Sequence, residues 1–94
     1  MPRAILDGTV LAESPNTVVI EGNHYFPDES VNHEHLTGTA TETVCYWKGT
    51  ARYYSAVVSE TVFRDIAWYY PDPSQEAASI KNYVAFGRPV QVEL

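Results

Sequence analysis

The chain has 94 residues, which suits a single domain and leaves no room for a second core. Hydrophobic residues make up 45% and charged residues 19%, proportions typical of a globular protein and not of a disordered one. The formal net charge is −6 and the six lysines and arginines are scattered, so no basic surface for nucleic acid or an anionic membrane is expected.

The first third of the chain predicts a meander of short strands. Ala4–Leu6 and Val10–Ala12 flank an Asp-Gly dipeptide, which is a strong signal for a two-residue β-hairpin turn. β-Branched residues over 17–21 predict a third strand. The turn signal Gly22-Asn23 separates this strand from a fourth at His24–Phe26.

The middle of the chain predicts one helical turn followed by three strands. Ser30–Leu36 is the segment compatible with the helical turn. Residues 39–45, 50–58 and 61–70 are rich in β-branched or aromatic side chains and predict strands. Both faces of 50–58 are largely apolar, which implies a central strand or a strand between layers.

The last quarter predicts a short helix and two further strands. Pro71-Asp72-Pro73 ends the preceding strand, and Ser74 is a suitable N-cap for a helix over Gln75–Ile80. Strands are predicted at Tyr83–Phe86 and Val90–Leu94. Seven or eight short strands with one or two helical turns predict a single all-β domain, built from two packed antiparallel sheets or a squat barrel.

Several short motifs are shared with a known family. They are Ala12-Glu13-Ser14, Tyr25-Phe26-Pro27, the run from Cys45 to Tyr54, the run from Ala67 to Pro73, and Val84-Ala85-Phe86. Together they resemble the family called domain of unknown function 427, over nearly the whole chain. The resemblance implies a compact, tent-like all-β fold, similar to small zinc-bearing chaperone-like proteins and to ligand-binding tryptophan-cage domains.

The resemblance also bears on metals and activity. Those relatives often hold zinc through paired Cys-x-x-Cys motifs, whereas this chain has Cys45 alone, so neither a metal nor a cofactor is expected. The family carries a nucleotidyltransferase-like label. Metal-dependent nucleotidyl transfer needs clustered carboxylates around Mg²⁺, and the Gly-Ser followed by Asp-x-Asp that would mark them is absent.

Aromatic residues are the most informative feature of the composition. Eight of the twelve fall between Tyr46 and Tyr70, where they either form the core or line a pocket for a planar ligand. Strand alternation turns Tyr53 away from Tyr54, and Trp68 away from its neighbour, so at least two rings should lie outside the main core. The predicted ligand-binding residues are Glu13, Trp47, Lys48, Tyr53, Tyr54, Trp68 and Tyr70.

Cys45 and Lys48 are the first candidates for chemistry. A nearby ammonium lowers the pKa of a thiol, so Cys45 could be a nucleophile, or Lys48 could bind an anionic or aromatic ligand itself. The alternative is a buried cysteine at a strand end and a lysine whose stem lies over Trp47 at a turn.

The next candidates are carboxylates: Glu13, Glu21, Asp65 and Asp72. Asp65 stands out because it interrupts an otherwise apolar strand. It could be an acid–base residue with a raised pKa, or it could pair structurally with Arg52 or Lys48 on a neighbouring strand.

The histidines and Ser14 carry weaker signals. His33 and His35 would share a face only on a strand, so a helical turn leaves them and His24 as solvated loop residues and not metal ligands. Ser14 lacks the glycine-framed turn of a nucleophilic serine.

Three functions remain open from the sequence. The leading hypothesis is a binding module for a small planar or anionic metabolite, nucleotides included, held by the aromatic residues and Lys48. The second is an enzyme of the transfer or hydrolase type that uses Lys48, Cys45 or Asp65. The third is a protein-interaction or dimerisation module built on exposed rings. The domain is expected to be a monomer or a homodimer with a small-molecule partner.

The lone cysteine and the absence of long apolar runs bear on location. A single cysteine excludes an internal disulfide and fits a reducing compartment. No stretch resembles a signal-peptide apolar region or approaches the roughly 18 apolar residues of a membrane helix. A cytoplasmic location is therefore expected.

Overall fold

Nine β-strands and three short 3₁₀ helices make up the fold in a computed structural model that describes residues 1–94. The strands are β1 (Arg3–Leu6), β2 (Thr9–Glu13), β3 (Val18–Ile20), β4 (Asn23–Tyr25), β5 (Leu36–Cys45), β6 (Gly49–Val58), β7 (Thr61–Tyr69), β8 (Val84–Phe86) and β9 (Gln91–Glu93). The 3₁₀ helices are Asp28–Ser30, His33–His35 and Gln75–Ile80. The all-β prediction is confirmed.

The strands form three antiparallel units. The central sheet has the strand order β5-β6-β7-β8, and the terminal sheet has the order β2-β1-β9. Strands β3 and β4 pair with each other as a separate hairpin. Because the outer strands β5 and β8 do not pair with each other, packed antiparallel sheets are confirmed and a squat barrel is not formed.

The opening third is not one continuous meander, so that prediction was wrong. The β1–β2 hairpin turns at Asp7-Gly8 as expected, with φ angles of 50° and 78°. Strand β3, however, does not pair with β2. Pro15 follows β2 and lacks an amide donor, and the amide of Ser14 already bonds to the carbonyl of Pro2 at 3.1 Å, so the chain leaves the terminal sheet here.

Both faces of the central sheet are covered, as the sequence of β6 predicted. The terminal sheet packs on the face that we call the front, and the β3–β4 hairpin and the helix Gln75–Ile80 pack on the back. Tyr53 and Trp68 pack against the back core, while Tyr54 and Tyr69 pack against the front core. The predicted alternation of these rings is confirmed.

The central sheet separates two cores of different composition, so the expectation that 94 residues leave no room for a second core was wrong. The front core consists of Ala4, Leu6, Leu11, Ala12, Phe26, Val31, Ala56, Val58, Ile66, Ala67, Val84, Phe86 and Val90. The back core consists of Tyr25, Ala51, Tyr70, Ala77, Ile80 and Ala85. Burial of apolar surface in both stabilises the domain, and the back core depends more heavily on aromatic rings. Val57 in β6 belongs to neither core and is 42% exposed.

The β3–β4 hairpin is positioned by its junction with the central sheet. Phe26, just after β4, exchanges two backbone hydrogen bonds of 2.8 Å with Val84 in β8. Tyr25 therefore enters the back core while Phe26 enters the front core. The hairpin folds across the back face, and its tip at Glu21 contacts the turn between β5 and β6.

The helical segments are all short and of the 3₁₀ type. Ser74 caps the last of them, as predicted, and its hydroxyl accepts the amide of Ala77 at 3.3 Å. No helix in the domain has the length and apolar character that crossing a bilayer requires.

Candidate functional site

Lys48 is the only charged residue that the fold buries. It lies in the turn between β5 and β6, and only 3% of its surface is exposed. Its ammonium nitrogen lies 4.8 Å from the centre of the Trp47 ring and 5.7 Å from the Tyr70 ring. Both distances are within the range of cation–π attraction, which is strongest where water is excluded.

The Lys48 turn is held against the segment that follows β7. The amide of Ser74 donates to the Lys48 carbonyl at 2.9 Å. Gly49 has a φ of 117°, and a Cβ there would lie 3.3 Å from the Asp72 carbonyl oxygen, so glycine allows this close approach. Two of the motifs shared with the family, the runs Cys45–Tyr54 and Ala67–Pro73, therefore lie next to each other in the fold.

Glu21 supplies the counter-ion from the opposite direction. It is the first residue of the Glu21-Gly22 turn and has a φ of 54°, a left-handed conformation that is uncommon for glutamate. One carboxylate oxygen accepts a hydrogen bond from the Lys48 ammonium, and the other lies 3.4 Å from the indole nitrogen of Trp47. The side-chain contacts offset the unfavourable backbone conformation.

Lys48 and Glu21 stabilise each other's charged forms, but Lys48 is buried and Glu21 is largely exposed. Burial alone would lower the pKa of Lys48, but its hydrogen bond with Glu21 and its contact with Cys45 raise that pKa above the ordinary value. Hydrogen bonds from Lys48 and then from Trp47 lower the pKa of Glu21. Both groups are charged at neutral pH, yet the Glu21 side chain is 54% exposed and that of Lys48 only 4%.

Cys45 completes the surroundings of the ammonium. Burial raises the pKa of its thiol, but the backbone amides of Trp47 and Lys48, followed by the Lys48 ammonium, outweigh burial and lower it. The ammonium thus favours the thiolate form. No carboxylate or imidazole that could act as a general base is hydrogen-bonded to the thiol.

A row of hydroxyl-bearing and indole rings leads away from Lys48. The centres of the Tyr70 and Tyr25 rings are 6.4 Å apart, and the Trp68 indole nitrogen donates to the Tyr25 hydroxyl at 3.1 Å. Tyr53 lies beside Trp68, with ring centres 6.3 Å apart. Burial, and then the neighbouring Tyr25, raise the pKa of Tyr70 to about 12, while Lys48 opposes the rise. The Tyr70 hydroxyl is therefore neutral at physiological pH.

No open hollow surrounds Lys48, which corrects the expectation of an accessible pocket. The surface has two cavities, of about 380 and 390 Å³, and neither is lined by Lys48 or by the rings of the back face. The larger lies beside the same turn and is lined by Glu42, Gly49, Thr50, Arg52, Pro71 and Asp72. The ring cluster packs directly around the ammonium, with Glu21 at its solvent side.

Comparison with known proteins identifies the family. A family model described as Domain of unknown function (DUF427) matches residues 2–94. The chain belongs to this family. No curated protein matches the chain. The DUF427 resemblance seen in the short motifs is thereby confirmed, and the motifs around Cys45–Tyr54 and Ala67–Pro73 supply the turn and the ring that enclose Lys48.

Two of the predicted ligand-binding residues lie elsewhere in this DUF427 domain. Tyr54 is on the front face, where its ring stacks on Tyr69 at 4.9 Å between centres. Glu13 is in the terminal sheet, with a carboxylate oxygen 3.7 Å from the guanidinium of Arg3. The remaining five, Trp47, Lys48, Tyr53, Trp68 and Tyr70, come together on the back face.

Asp65 stabilises a β-bulge. Strand β7 carries extra residues opposite Ser55, and Asp65 among them has a φ of 52°. Its two carboxylate oxygens accept hydrogen bonds of 2.8 Å from the hydroxyls of Thr39 and Thr41, and its amide donates to Ser55 at 3.0 Å. Asp65 is therefore a structural residue, but its partners are neutral groups and neither Arg52 nor Lys48, the two partners offered by the sequence.

The other charged candidates have partners of their own at the surface. Arg52, expected as a possible partner of Asp65, lies 3.6 Å from a carboxylate oxygen of Glu42. His33 lies 2.9 Å from a carboxylate oxygen of Asp28. No three His, Cys, Asp or Glu side chains are grouped as a metal site.

Sequence reasoning did not single out Glu21 or Tyr25 as members of the site. Glu21 was one of four carboxylates without an assigned partner, because the predicted turn lay one residue further along, at Gly22-Asn23. The available signal was a glutamate at the first position of a Glu-Gly turn, where Asn, Asp or Gly is usual.

Proposed function

We propose that this domain binds a small planar or anionic ligand at Lys48, in exchange for the carboxylate of Glu21. One observation carries the proposal: an almost completely buried ammonium is enclosed by rings, and its counter-ion is on an exposed two-residue turn. A buried charge needs a partner, but that partner need not come from the same chain.

The surroundings of Lys48 fit such a ligand. The ammonium and the Trp47 indole both donate toward the same solvent-facing position, now taken by Glu21. The partly exposed ring of Trp47 offers flat apolar surface next to it, whereas the Tyr70 ring is buried in the back core. Exchange of one anion for another keeps the ammonium compensated throughout.

The enzyme alternative has less support from the geometry. The pKa of the Cys45 thiol is lowered, but no carboxylate or imidazole is hydrogen-bonded to it as the acid–base partner that group transfer or hydrolysis commonly uses. The carboxylate of Asp65 is held by Thr39 and Thr41 in a structural bulge. Binding without chemistry is therefore the function that the site favours.

Titration calorimetry of the whole chain with benzoate and with adenosine monophosphate tests this proposal. We expect saturable binding of at least one ligand to the wild type and none to Lys48→Met, which keeps the length of the side chain without its charge. The chain has one other lysine, the exposed Lys81, so Lys81→Met is the matched control and should bind like the wild type. Equal binding to wild type and Lys48→Met, or no binding to either, contradicts the proposal.

We also propose a cytoplasmic location, which the unpaired thiol of Cys45 supports. Fractionation of cells that produce the full-length chain tests it. Recovery of the protein mainly outside the cytoplasmic fraction would contradict it.

A further inference from the structure

We infer that the anion bound at Lys48 is a carboxylate carried on a flat apolar body, and that Glu21 is the chain's own occupant of the same subsite. The inference rests on the proposed function and narrows its ligand from any small planar or anionic molecule to one chemical class. Nucleotides and other phosphate esters are thereby excluded as preferred ligands.

The first reason to expect a carboxylate is the arrangement of the two hydrogen-bond donors around Glu21. Lys48 and Trp47 donate to different oxygens of one carboxylate, and no other side chain donates to it. A carboxylate offers two coplanar oxygens and is satisfied by this pair. Phosphate groups are held by lysines too, but usually together with guanidinium forks, helix N-termini or runs of backbone amides, and none of these three faces Glu21.

The second reason to expect a carboxylate is the single positive charge of the subsite. Lys48 contributes one positive charge in a chain with a net charge of −6. A monoanionic carboxylate that replaces Glu21 at the ammonium leaves the local charge balance unchanged. A phosphate ester carries a charge of about −1.5 to −2 at neutral pH, so its excess negative charge would have no partner.

The mobility that exchange needs is available at the hairpin tip. Glu21 is half exposed, and its carboxylate is held only by Lys48 and Trp47. Rotation of its side chain toward water opens the subsite without breaking a pair of the β3–β4 ladder, whose last pair joins Ile20 and Asn23. An incoming ligand then meets the partly exposed Trp47 ring beside the ammonium, which favours a flat body.

Glu21 therefore acts as an intramolecular competitor. The apparent affinity for a free carboxylate falls by the fraction of molecules in which Glu21 has left the ammonium. Replacement of Glu21 by glutamine keeps its size and a hydrogen-bond acceptor but removes the competing charge. We expect Glu21→Gln to bind an aromatic carboxylate about tenfold more tightly than the wild type. A change of this size follows if Glu21 has left the ammonium in about one tenth of the wild-type molecules.

The experiment compares benzoate with phenylphosphate, which share a ring and differ in the anion. Binding to the whole chain is followed by the NMR signal of the Trp47 indole N–H, assigned with Trp47→Phe. The variants are Glu21→Gln, Lys48→Met and the matched control Glu42→Gln, which neutralises a similarly exposed glutamate paired with Arg52. We expect benzoate to bind more tightly than phenylphosphate to wild type, Glu21→Gln and Glu42→Gln, and not at all to Lys48→Met.

The outcomes separate the two proposals. If phenylphosphate binds as tightly as benzoate and requires Lys48, the carboxylate class is overturned while ligand binding at Lys48 stands. If Glu21→Gln gains no affinity, or Glu42→Gln gains as much, Glu21 is not the competing occupant. If neither probe binds the wild type or Glu21→Gln, or binding survives in Lys48→Met, both proposals fail. The wild-type comparison of the two probes decides the ligand class even if a variant does not fold.

Discussion

The two faces of the central sheet carry comparable rings but different chemistry. On the front, Tyr54 stacks on Tyr69 at 4.9 Å, and no charged side chain is buried among the apolar residues around them. On the back, the rings surround the buried ammonium of Lys48. Aromatic residues are therefore not by themselves the mark of a site in this domain. The buried charge with an exposed counter-ion is what distinguishes the back face.

The front and back cores are stabilised by different interactions. The front core is held mainly by apolar burial, which is non-directional and tolerates changes in polar partners. The back core depends on a charge that is stable only while it is compensated. The two faces should therefore respond differently to mutation, to pH and to added ligands.

The largest expected effect on stability compares substitutions of two adjacent residues, Phe26 in the front core and Tyr25 in the back core. Phe26→Ala removes a fully buried ring that packs edge-on against Phe86 in the front core, and should lower the free energy of unfolding by about 3–5 kcal/mol. Tyr25→Phe removes only the hydroxyl that accepts from Trp68 on the back, and should lower it by about 1 kcal/mol. Urea denaturation measures both. A loss well below about 3 kcal/mol for Phe26→Ala would contradict tight packing of its ring, and no loss for Tyr25→Phe would contradict a stabilising role of its hydroxyl.

The second prediction concerns the two halves of the ion pair. Lys48→Met leaves Glu21 in water and fills the buried space, so the melting temperature should stay at or above that of the wild type. Glu21→Ala leaves the buried ammonium without its partner, so the melting temperature should fall by several degrees. Calorimetry of the two variants tests the order, and the reverse order would mean that the ammonium is not effectively buried.

Acidification provides the control for the ion-pair prediction. The pKa of Glu21 is lowered in the folded protein. Its contribution to stability is therefore present above its unfolded pKa of about 4.3 and is lost as the pH falls through the lower folded value. The difference in melting temperature between wild type and Glu21→Ala should shrink over that acidic range and stay constant around neutral pH.

The smallest effect compares one tyrosine from each face. The pKa is raised to about 12 for Tyr54, by burial and then by Tyr69, and to about 12 for Tyr70, by burial and then by Tyr25. Raised values favour the neutral hydroxyl in the folded state, so this stability is complete below the unfolded pKa of about 10 and is lost as the pH rises toward 12.

Loss of the Lys48 ammonium should change the pKa of Tyr70 but not that of Tyr54. Lys48 opposes the rise at Tyr70, so Lys48→Met should raise the pKa of Tyr70 further and leave that of Tyr54 unchanged. Ultraviolet titration of tyrosinate measures this, with Tyr70→Phe and Tyr54→Phe to assign the transitions. A parallel change at both tyrosines would contradict the separation of the faces.

Local sequence signals predicted most of the strands. The Asp7-Gly8 turn, the Ser74 cap and the opposite orientations of Tyr53 and Tyr54 follow from backbone preferences that act over a few residues. The partner of Lys48 could not be obtained in this way, because Glu21 is 27 residues distant along the chain. The same holds for Asp65, whose hydroxyl partners come from β5 across the sheet.

The sequence by itself determined the all-β class, the membership in the DUF427 family, the net charge of −6 and the concentration of rings around Lys48. Turn chemistry and side-chain alternation are local, so they can be recognised without coordinates. Only the tertiary structure decided which rings surround the ammonium, that Glu21 occupies its solvent side, and that no open pocket lies there. These features depend on how the β3–β4 hairpin crosses the back face, and that packing is set by contacts between residues far apart in the chain.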